Sequence, residues 1–227
     1  MKILCVSDQI DPLVYSSNVK ERYKDVDLVI SAGDLPMEYL EFIVSSLNKP
    51  VLFVFGNHNL SEFGQYHSVS PENAPNPRQM NPLARSMTGH GTTYIGFKTI
   101  KESGLLIAGV SGSLNYNNGL NQYSDAQMKR KLLKLFPALL YNRIKYGRWL
   151  DILVTHASPA GIHDKPDPCH QGFSSFLWFM KKFRPRWLIH GHIHLYDLQD
   201  IRVSSFEQTT VINAYSHFIL DTGAPSK

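Results

Sequence analysis

Short apolar runs separated by polar and glycine-containing turns dominate the first sixty residues of the chain. Residues 2–7, 26–31 and 51–55 are nearly continuous apolar stretches. Between them, residues 18–25 and 36–47 place apolar side chains three and four positions apart, which is the spacing of an amphipathic helix. Strands that are apolar throughout and alternate with helices predict a parallel sheet covered on both faces.

The rest of the chain continues this alternation, and we expect a single domain over residues 1–227. We predict strands over 93–97, 105–110, 151–155 and 186–189, and helices over 125–146 and 173–183, the first with a break or kink at Pro137. Residues 201–220 alternate as two antiparallel strands would. Residues 61–93 contain four prolines and no clear periodicity, which predicts a long loop of the kind that is usually functional.

Charge, cysteine content and hydropathy limit which binding partners and which cellular compartment we expect for this protein. The net charge of +4 favours anionic partners only weakly. Basic residues concentrate at 129–131, 143–148 and 181–186. We expect solvated helix faces there, because no nucleic-acid-binding module with interleaved basic and aromatic residues is visible. Cys5 and Cys169 are too few for a disulfide framework. No apolar run approaches the about 20 residues that span a bilayer, and no signal peptide is evident, so we expect a cytoplasmic protein without a membrane partner.

Residues that can bind metals follow the predicted strands. They are Asp8, Asp34, Asn57, His156, and the pair His192 and His194. In open α/β folds, ligands bind beyond the carboxyl ends of the strands. Each residue alone has an ordinary structural explanation, such as a helix cap, a turn or a hydrogen-bonded core histidine. Because all of them occupy equivalent positions, we predict one metal site, and the oxygen and imidazole donors suit Mn, Fe or Zn.

In order and spacing, these residues resemble the calcineurin-like metallophosphoesterase family. The family pattern runs D-x-H, G-D, G-N-H-[D/E], a lone His and G-H-x-H. The chain offers, in the same order, Asp8, Gly33-Asp34, Gly56-Asn57-His58, His156 and Gly191-His192-Ile193-His194. The resemblance covers nearly the whole chain. It implies an α/β fold with four layers, α/β/β/α, in which two mixed sheets are flanked by helices.

The resemblance also implies a dinuclear centre that hydrolyses phosphoesters. Six residues would bind two divalent transition-metal ions (Mn, Fe or Zn), with Asp34 bridging them, Asn57, His156 and His192 completing one site, and Asp8 and His194 serving the other. A hydroxide held between the metals would attack phosphorus in line. His58 would stabilise the developing charge and protonate the leaving oxygen.

Two positions depart from the family pattern. Ile10 stands where a histidine ligand is expected, and we expect Asp11 or a water molecule to take its place. Asn59 stands where an acidic residue would hold and charge the ring of His58. Either another acid does so, with Glu62 a candidate by nearness in sequence, or His58 is a weaker general acid.

The segment after Gly33-Asp34 narrows the range of substrates that we expect. It reads Leu35-Pro36-Met37-Glu38-Tyr39 and lacks the Asp and Arg-Gly of the protein Ser/Thr phosphatase branch, so the resemblance is to the small prokaryotic-type phosphoesterases. No Arg or Lys falls within a site motif to clamp a dianionic monoester, which favours a small-molecule phosphodiester over a phosphomonoester. The alternative is a protein-binding scaffold with a degenerate metal site, which Ile10 and Asn59 leave open. A DNA nuclease would need a basic groove or an added domain, and the sequence shows no such domain.

Polar residues in two loops are further candidates. The loop after His156 carries His163, Asp164, Asp167 and His170. They either make local hydrogen bonds or form a wall for the substrate. Residues 113–118 could also reach the site, and we expect His190 to lie behind the ligands.

Overall fold

The computed structural model describes residues 1–66, 91–197 and 199–223. The strands are β1 (Lys2–Ser7), β2 (Val26–Ser31), β3 (Val51–Phe53), β4 (Thr92–Tyr94), β5 (Lys98–Glu102), β6 (Leu105–Val110), β7 (Ser113–Leu114), β8 (Gln122–Tyr123), β9 (Ile152–Thr155), β10 (Trp187–His190), β11 (Val203–Phe206), β12 (Thr209–Asn213) and β13 (Ser216–Asp221). The helices are α1 (Val19–Arg22), α2 (Met37–Leu47), α3 (Phe63–Tyr66), α4 (Asp125–Leu133), α5 (Phe136–Tyr146) and α6 (Ser174–Phe183).

Two mixed sheets share one apolar core. The first has the order β13-β1-β2-β3-β4, in which β1 to β4 are parallel and β13 is antiparallel to β1. The second has the order β11-β12-β10-β9-β6-β5, in which the four central strands are parallel and both edge strands are antiparallel. Ile30 and Leu52 of the first sheet lie in the same buried cluster as Ile107 and Ile189 of the second.

Helices cover the outer face of each sheet. Leu40 and Ile43 of α2 are buried against the first sheet. Leu139 of α5 and Phe176 of α6 belong to a cluster that includes Leu153 of the second sheet. Because alternate side chains of a strand point to opposite faces, these strands are apolar on both sides. The predicted fold, two mixed sheets flanked by helices, is confirmed.

Differences from the predicted elements have physical causes. The helix predicted over 125–146 is two helices, because Pro137 lies in the first turn of α5, where its missing N–H is tolerated. The prediction of two C-terminal strands was wrong in number: β11 and β12 form the antiparallel pair, and β13 crosses to the first sheet. The strand β5 was not predicted, because its side chains are largely half-exposed or exposed and include three charged residues.

Most of the loop predicted over residues 61–93 lies outside the described residues. Of its described parts, residues 63–66 form α3 and Thr92 begins β4, which pairs in parallel with β3. In the three described ranges, no helix is long and apolar enough to cross a membrane.

Candidate metal centre

Parallel strand ends bring the sequence-predicted polar residues to one edge of the molecule. The strands β1, β2 and β3 end side by side in the first sheet, and β9 and β10 do so in the second. The loops that follow these strands also touch one another. The backbone N–H of Asp8 donates to the carbonyl oxygen of Gly33 (3.1 Å), and that of Gly191 donates to the carbonyl oxygen of His156 (3.0 Å).

Asp34, His156 and His192 form a tight cluster, in which one ligand atom from each lies within 4.8 Å of the others. The buried ring of His156 has its Nδ1 2.9 Å from the carbonyl oxygen of Ala32. Since a carbonyl only accepts, Nδ1 carries the hydrogen. The other nitrogen, Nε2, lies 3.0 Å from Asn57 Oδ1 and 3.2 Å from Asp34 Oδ2. Two oxygen acceptors and a ring nitrogen thus face one point, where a proton or a metal ion is required.

Neighbouring groups orient the other donors of this cluster. The Nε2 of His192 lies 2.6 Å from the carbonyl oxygen of Cys169 and therefore carries the hydrogen of the neutral ring. The Nδ1 of His192 is then the nitrogen with an available lone pair. The side-chain nitrogen of Asn57 donates to the hydroxyl of Tyr116 (3.2 Å), which turns Oδ1 toward His156. Tyr116 belongs to the segment 113–118, which was expected to reach the site.

The charges in this cluster depend on one another. Burial acts to raise the pKa of Asp34, but the charge and hydrogen bond of His156 outweigh it and lower that pKa to about 2. Burial acts to lower the pKa of His156, but Asp34 raises it to about 9. Burial and the charge of His156 lower the pKa of His192 to about 3. At neutral pH, a metal ion that binds here therefore displaces a proton from His156.

Asp8 and His194 form a looser pair beside the cluster. The distance between Asp8 Oδ1 and His194 Nε2 is 3.9 Å. Both carboxylate oxygens of Asp8 accept the backbone N–H of His192, at 3.0 and 2.9 Å, and the Nδ1 of His194 lies 2.7 Å from the hydroxyl of Tyr196. Burial raises the pKa of Asp8 above its usual value, and this carboxylate is therefore easier to protonate than Asp34.

Motif glycines allow the loops to approach one another. A β-carbon on Gly56 would overlap the carboxylate of Asp34 and the ring of His156. A β-carbon on Gly191 would overlap the carboxylate of Asp8. Only glycine fits between these side chains, so the G-N and G-H pairs of the motifs have a steric cause as well as a chemical one.

Three of the candidate ligands have left-handed backbone conformations. The φ angles of Asp8, Asp34 and His192 are 64°, 57° and 65°. Positive φ is uncommon outside glycine, and such strain concentrates at functional sites, where the surrounding structure holds it. The turns after β1, β2 and β10 therefore direct these side chains to the shared edge.

His58 lies exposed at the rim of the centre. Its backbone N–H donates to Asp34 Oδ1 at 2.8 Å. Asn59 does not hold the ring of His58 as the expected acidic residue would. Its side-chain nitrogen instead donates to the carbonyl oxygen of Asp34 at 2.9 Å. Glu62 accepts a hydrogen bond from Ser61. Over the ranges that the structure covers, no carboxylate is hydrogen-bonded to the ring of His58.

Asp11 has partners that do not belong to the centre. Its Oδ2 lies 2.5 Å from both the hydroxyl of Ser216 and the Nδ1 of His217, and its Oδ1 accepts the N–H of Leu13 at 2.7 Å. Burial acts to raise the pKa of Asp11, but these hydrogen bonds lower it below its usual value. The carboxylate ties the loop after β1 to β13. These partners hold Asp11 away from the position expected for a ligand in place of Ile10.

The loop over residues 157–172 shows both local bonding and contact with the site. Asp167 Oδ1 lies 2.7 Å from the Nδ1 of His170, three positions along the loop. His163, in contrast, places its Nδ1 2.8 Å from the Nε2 of His190. His190 is fully buried, and burial lowers its pKa to about 3. The Nδ1 of His190 lies 2.9 Å from the carbonyl oxygen of Gly191, and the expectation that His190 supports the ligands stays a prediction.

Sequence reasoning missed several contributors because they act through backbone atoms or distant loops. The carbonyl oxygens of Ala32 and Cys169 orient two rings without any side-chain signature. Asn121 donates to the carbonyl oxygen of Gly56 at 2.6 Å and so supports the turn after β3. Lys165 donates to the carbonyl oxygen of His194 at 3.2 Å, across 29 residues.

A cavity of about 570 Å³ opens beside His194. Its lining includes Lys165 and two carboxylates, those of Asp164 and Asp200. Ile162 contributes apolar surface to the same cavity. The space adjoins the looser pair, so it could take a substituent of a molecule bound at the centre.

Comparisons with known proteins agree with this architecture. A family model described as calcineurin-like phosphoesterase matches residues 1–196. No curated protein matches the chain. The crystal structure of TT1561 of Thermus thermophilus superposes with a TM-score of 0.62 at 12% identity, over 95% of this chain and 89% of that one. A second crystal structure superposes with a TM-score of 0.65 at 14% identity, over 97% and 94% of the two chains. At these identities, the superpositions show a shared fold.

Proposed function

The chain belongs to the calcineurin-like phosphoesterase family, whose members in general hydrolyse phosphoesters with metal ions, and we propose that this member hydrolyses phosphodiesters of small molecules. The observation that carries the proposal is the convergence of His156 Nε2, Asn57 Oδ1 and Asp34 Oδ2 on one point at the carboxyl edge of the sheets. A scaffold that works only through protein contacts has no need of such an arrangement.

The donors fit divalent Mn, Fe or Zn. Asp34, Asn57, His156 and His192 would hold one ion, and Asp8 and His194 would share a second with Asp34. These are oxygen and imidazole donors, which match the preferences of those metals. When bound, the ions acidify a water molecule and neutralise charge on the phosphate. The second site has fewer protein donors because Ile10 contributes none, so we expect it to bind its ion more weakly.

The protein groups around the metals orient the donors and supply a proton. The carbonyl oxygens of Ala32 and Cys169 fix the tautomers of His156 and His192. The backbone N–H of His58 holds one carboxylate oxygen of Asp34. The exposed ring of His58 can protonate the leaving oxygen.

The cavity beside His194 favours a diester. A diester carries a second substituent, and the cavity of about 570 Å³ has room for one. Its two carboxylates, Asp164 and Asp200, accompany a single lysine, Lys165. Because negative charges outnumber positive charges in this lining, it repels the dianion of a monoester more than the single charge of a diester.

The decisive experiment compares a diester and a monoester with the same leaving group. We would measure Mn²⁺-dependent hydrolysis of bis(p-nitrophenyl) phosphate and of p-nitrophenyl phosphate, with metal stoichiometry on the same samples. We expect faster diester turnover, which Asp34→Asn abolishes together with metal binding. Asp25→Asn, which makes the same change at an exposed carboxylate paired with Lys2, should keep both properties.

Each other result has a distinct meaning. Faster monoester turnover would overturn the diester preference. Metal retained in full by Asp34→Asn would remove this residue from the centre. A protein that neither binds metal nor hydrolyses either ester would instead be the scaffold that the sequence left open.

A further inference from the structure

A row of large apolar side chains lies exposed on α5. Its members are Phe136, Leu140, Tyr141 and Ile144, with Leu133 at the end of α4. Ile144 is 79% exposed and Tyr141 is 55% exposed. Phe136, Leu140 and Ile144 follow one another at intervals of four residues, so they share one face of the helix. The opposite face, with Leu139 and Asn142, is buried. Single exposed apolar residues are ordinary, but a row of five marks an interaction surface.

The segment that carries this row is rich in positive charge, and so is a second segment of the chain. Residues 126–150 contain seven Lys or Arg and no Asp or Glu, and residues 171–196 contain four and none. The rest of the chain has 12 basic and 19 acidic residues, so the charge of the protein is strongly asymmetric. At 100° per residue, Arg143 and Lys145 lie at the two edges of the apolar row on α5. A basic amphipathic helix of this kind is typical of a membrane-surface segment.

A basic cavity adjoins the row. It has a volume of about 470 Å³ and is lined by Arg143, Arg148, Lys181, Lys182, Arg184 and Trp149, among others. Arg148 is paired with Asp151 at 2.7 Å. Arg143 belongs both to this cavity and to the edge of the row, so the apolar and cationic features form one continuous surface.

We propose that this surface docks the protein on an anionic lipid bilayer. The apolar row enters the boundary between headgroups and acyl chains, and the lysines and arginines meet the lipid phosphates. A second copy meeting the same surface would bring like charges together. A nucleic acid would satisfy the charges but offers no apolar phase for Ile144. The sequence led us to expect solvated faces and no membrane partner, because the pattern alone does not show which apolar side chains of α5 are exposed to solvent.

The docking surface is separate from the metal centre. Trp149 and Arg184 precede β9 and β10 and therefore lie near the amino ends of those strands. His156 and His192 follow the carboxyl ends of the same strands. Changes on the docking surface should therefore leave hydrolysis of a soluble ester unaffected, and the proposal stands or falls independently of the diester preference.

Flotation with vesicles tests the proposal. We expect the protein to float with vesicles of equal parts phosphatidylglycerol and phosphatidylcholine and to remain unbound with phosphatidylcholine alone. Ile144→Glu should weaken binding to the anionic vesicles by at least about tenfold, because it removes one apolar side chain from the interface and adds a negative charge. Leu120→Glu is the matched control, since Leu120 is 69% exposed, lies outside the row, and the charge change is the same. This control should bind as the unaltered protein does.

Three results would overturn the proposal. The first is no flotation with anionic vesicles. The second is equal binding to neutral and anionic vesicles. The third is equal binding by Ile144→Glu and the unaltered protein, and if polyglutamate then competes fully, the partner is an acidic polymer rather than a bilayer.

Discussion

At the scale of single residues, a backbone carbonyl decides which nitrogen of His156 can meet a metal ion. Ala32 fixes the hydrogen on Nδ1, and Nε2 is left facing Asn57 and Asp34. Asp34 holds the pKa of His156 at about 9, against the lowering effect of burial. A proton and a metal ion therefore compete for Nε2.

Metal binding should release about one proton from His156 at pH 7, because its pKa of about 9 keeps the ring protonated in the metal-free protein. Affinity should rise with pH and level off above about 9, where the ring no longer carries the proton. The ion pair itself stabilises the metal-free fold below pH 6.5, and that contribution is lost as the pH rises through about 9. Calorimetric titration in two buffers of different ionisation enthalpy measures the proton count, and a count of zero at pH 7 would exclude His156 as a ligand.

His58→Ala should lower turnover by about 10²–10⁴, the usual contribution of one general acid. Metal content should stay the same, since only the backbone N–H of His58 contacts Asp34 and that group is retained. Steady-state kinetics with metal analysis on the same sample measure both. Turnover equal to that of the unaltered protein would exclude the ring from the reaction.

At the scale of elements, the centre is a meeting of turns that follow parallel strands of two different sheets. The turns after β2, β3 and β9 touch at Gly56, where a β-carbon would overlap Asp34 and His156. The turns after β1 and β10 touch at Gly191 in the same way. The centre therefore depends on the spacing of these turns as much as on its donors.

Gly56→Ala should abolish metal binding and destabilise the fold, because the new methyl group displaces the carboxylate or the ring that it would overlap. Gly147→Ala is the control. Gly147 has a positive φ of 74° and open space around it, so alanine there should cost about 1 kcal/mol in backbone strain and leave the metal in place. Urea unfolding and metal stoichiometry distinguish the two, and full metal binding by Gly56→Ala would show that the turns can separate.

The elements that carry the centre could be predicted because their signals are local. Apolar runs of four to six residues identified β1, β2, β9 and β10, and a polar residue after each run identified the edge. What the pattern could not predict depends on pairing over long sequence distances. The crossing of β13 to β1 is one case, and the bond between Asp11 and His217, 206 residues apart, is another. The contact between the ring of His192 and the carbonyl oxygen of Cys169 is a third case. Every residue has a backbone carbonyl, so the sequence does not show which one orients the ring.

At the scale of the whole molecule, the last strand completes the first sheet. The strand β13 pairs with all six residues of β1, from Lys2 opposite Asp221 to Ser7 opposite Ser216. The family match ends at residue 196, so this closure lies beyond it. Asp11 adds a side-chain connection between the loop after β1 and the start of β13.

Asp11→Ala should lower the free energy of unfolding by about 1–3 kcal/mol, because Ser216 and His217 lose their buried acceptor. The pKa of Asp11 is lowered, so its contribution is present above pH 3.8 and is lost as the pH falls through the lowered value. Urea unfolding at neutral pH measures the change. Metal stoichiometry should not change, and a loss of metal would restore Asp11 as a ligand.

The close packing at the motif glycines also bears on how such a protein can diverge from its ancestors. A substitution at an exposed position such as Ile10, whose side chain is 42% exposed to solvent, disturbs few neighbours. A change at Gly56 or Gly191 disturbs several turns at once. We therefore expect metal ligands to be substituted one at a time during evolution, while the packing of the turns around the motif glycines is retained. A descendant that has lost its metals would still carry the glycines that once made room for them.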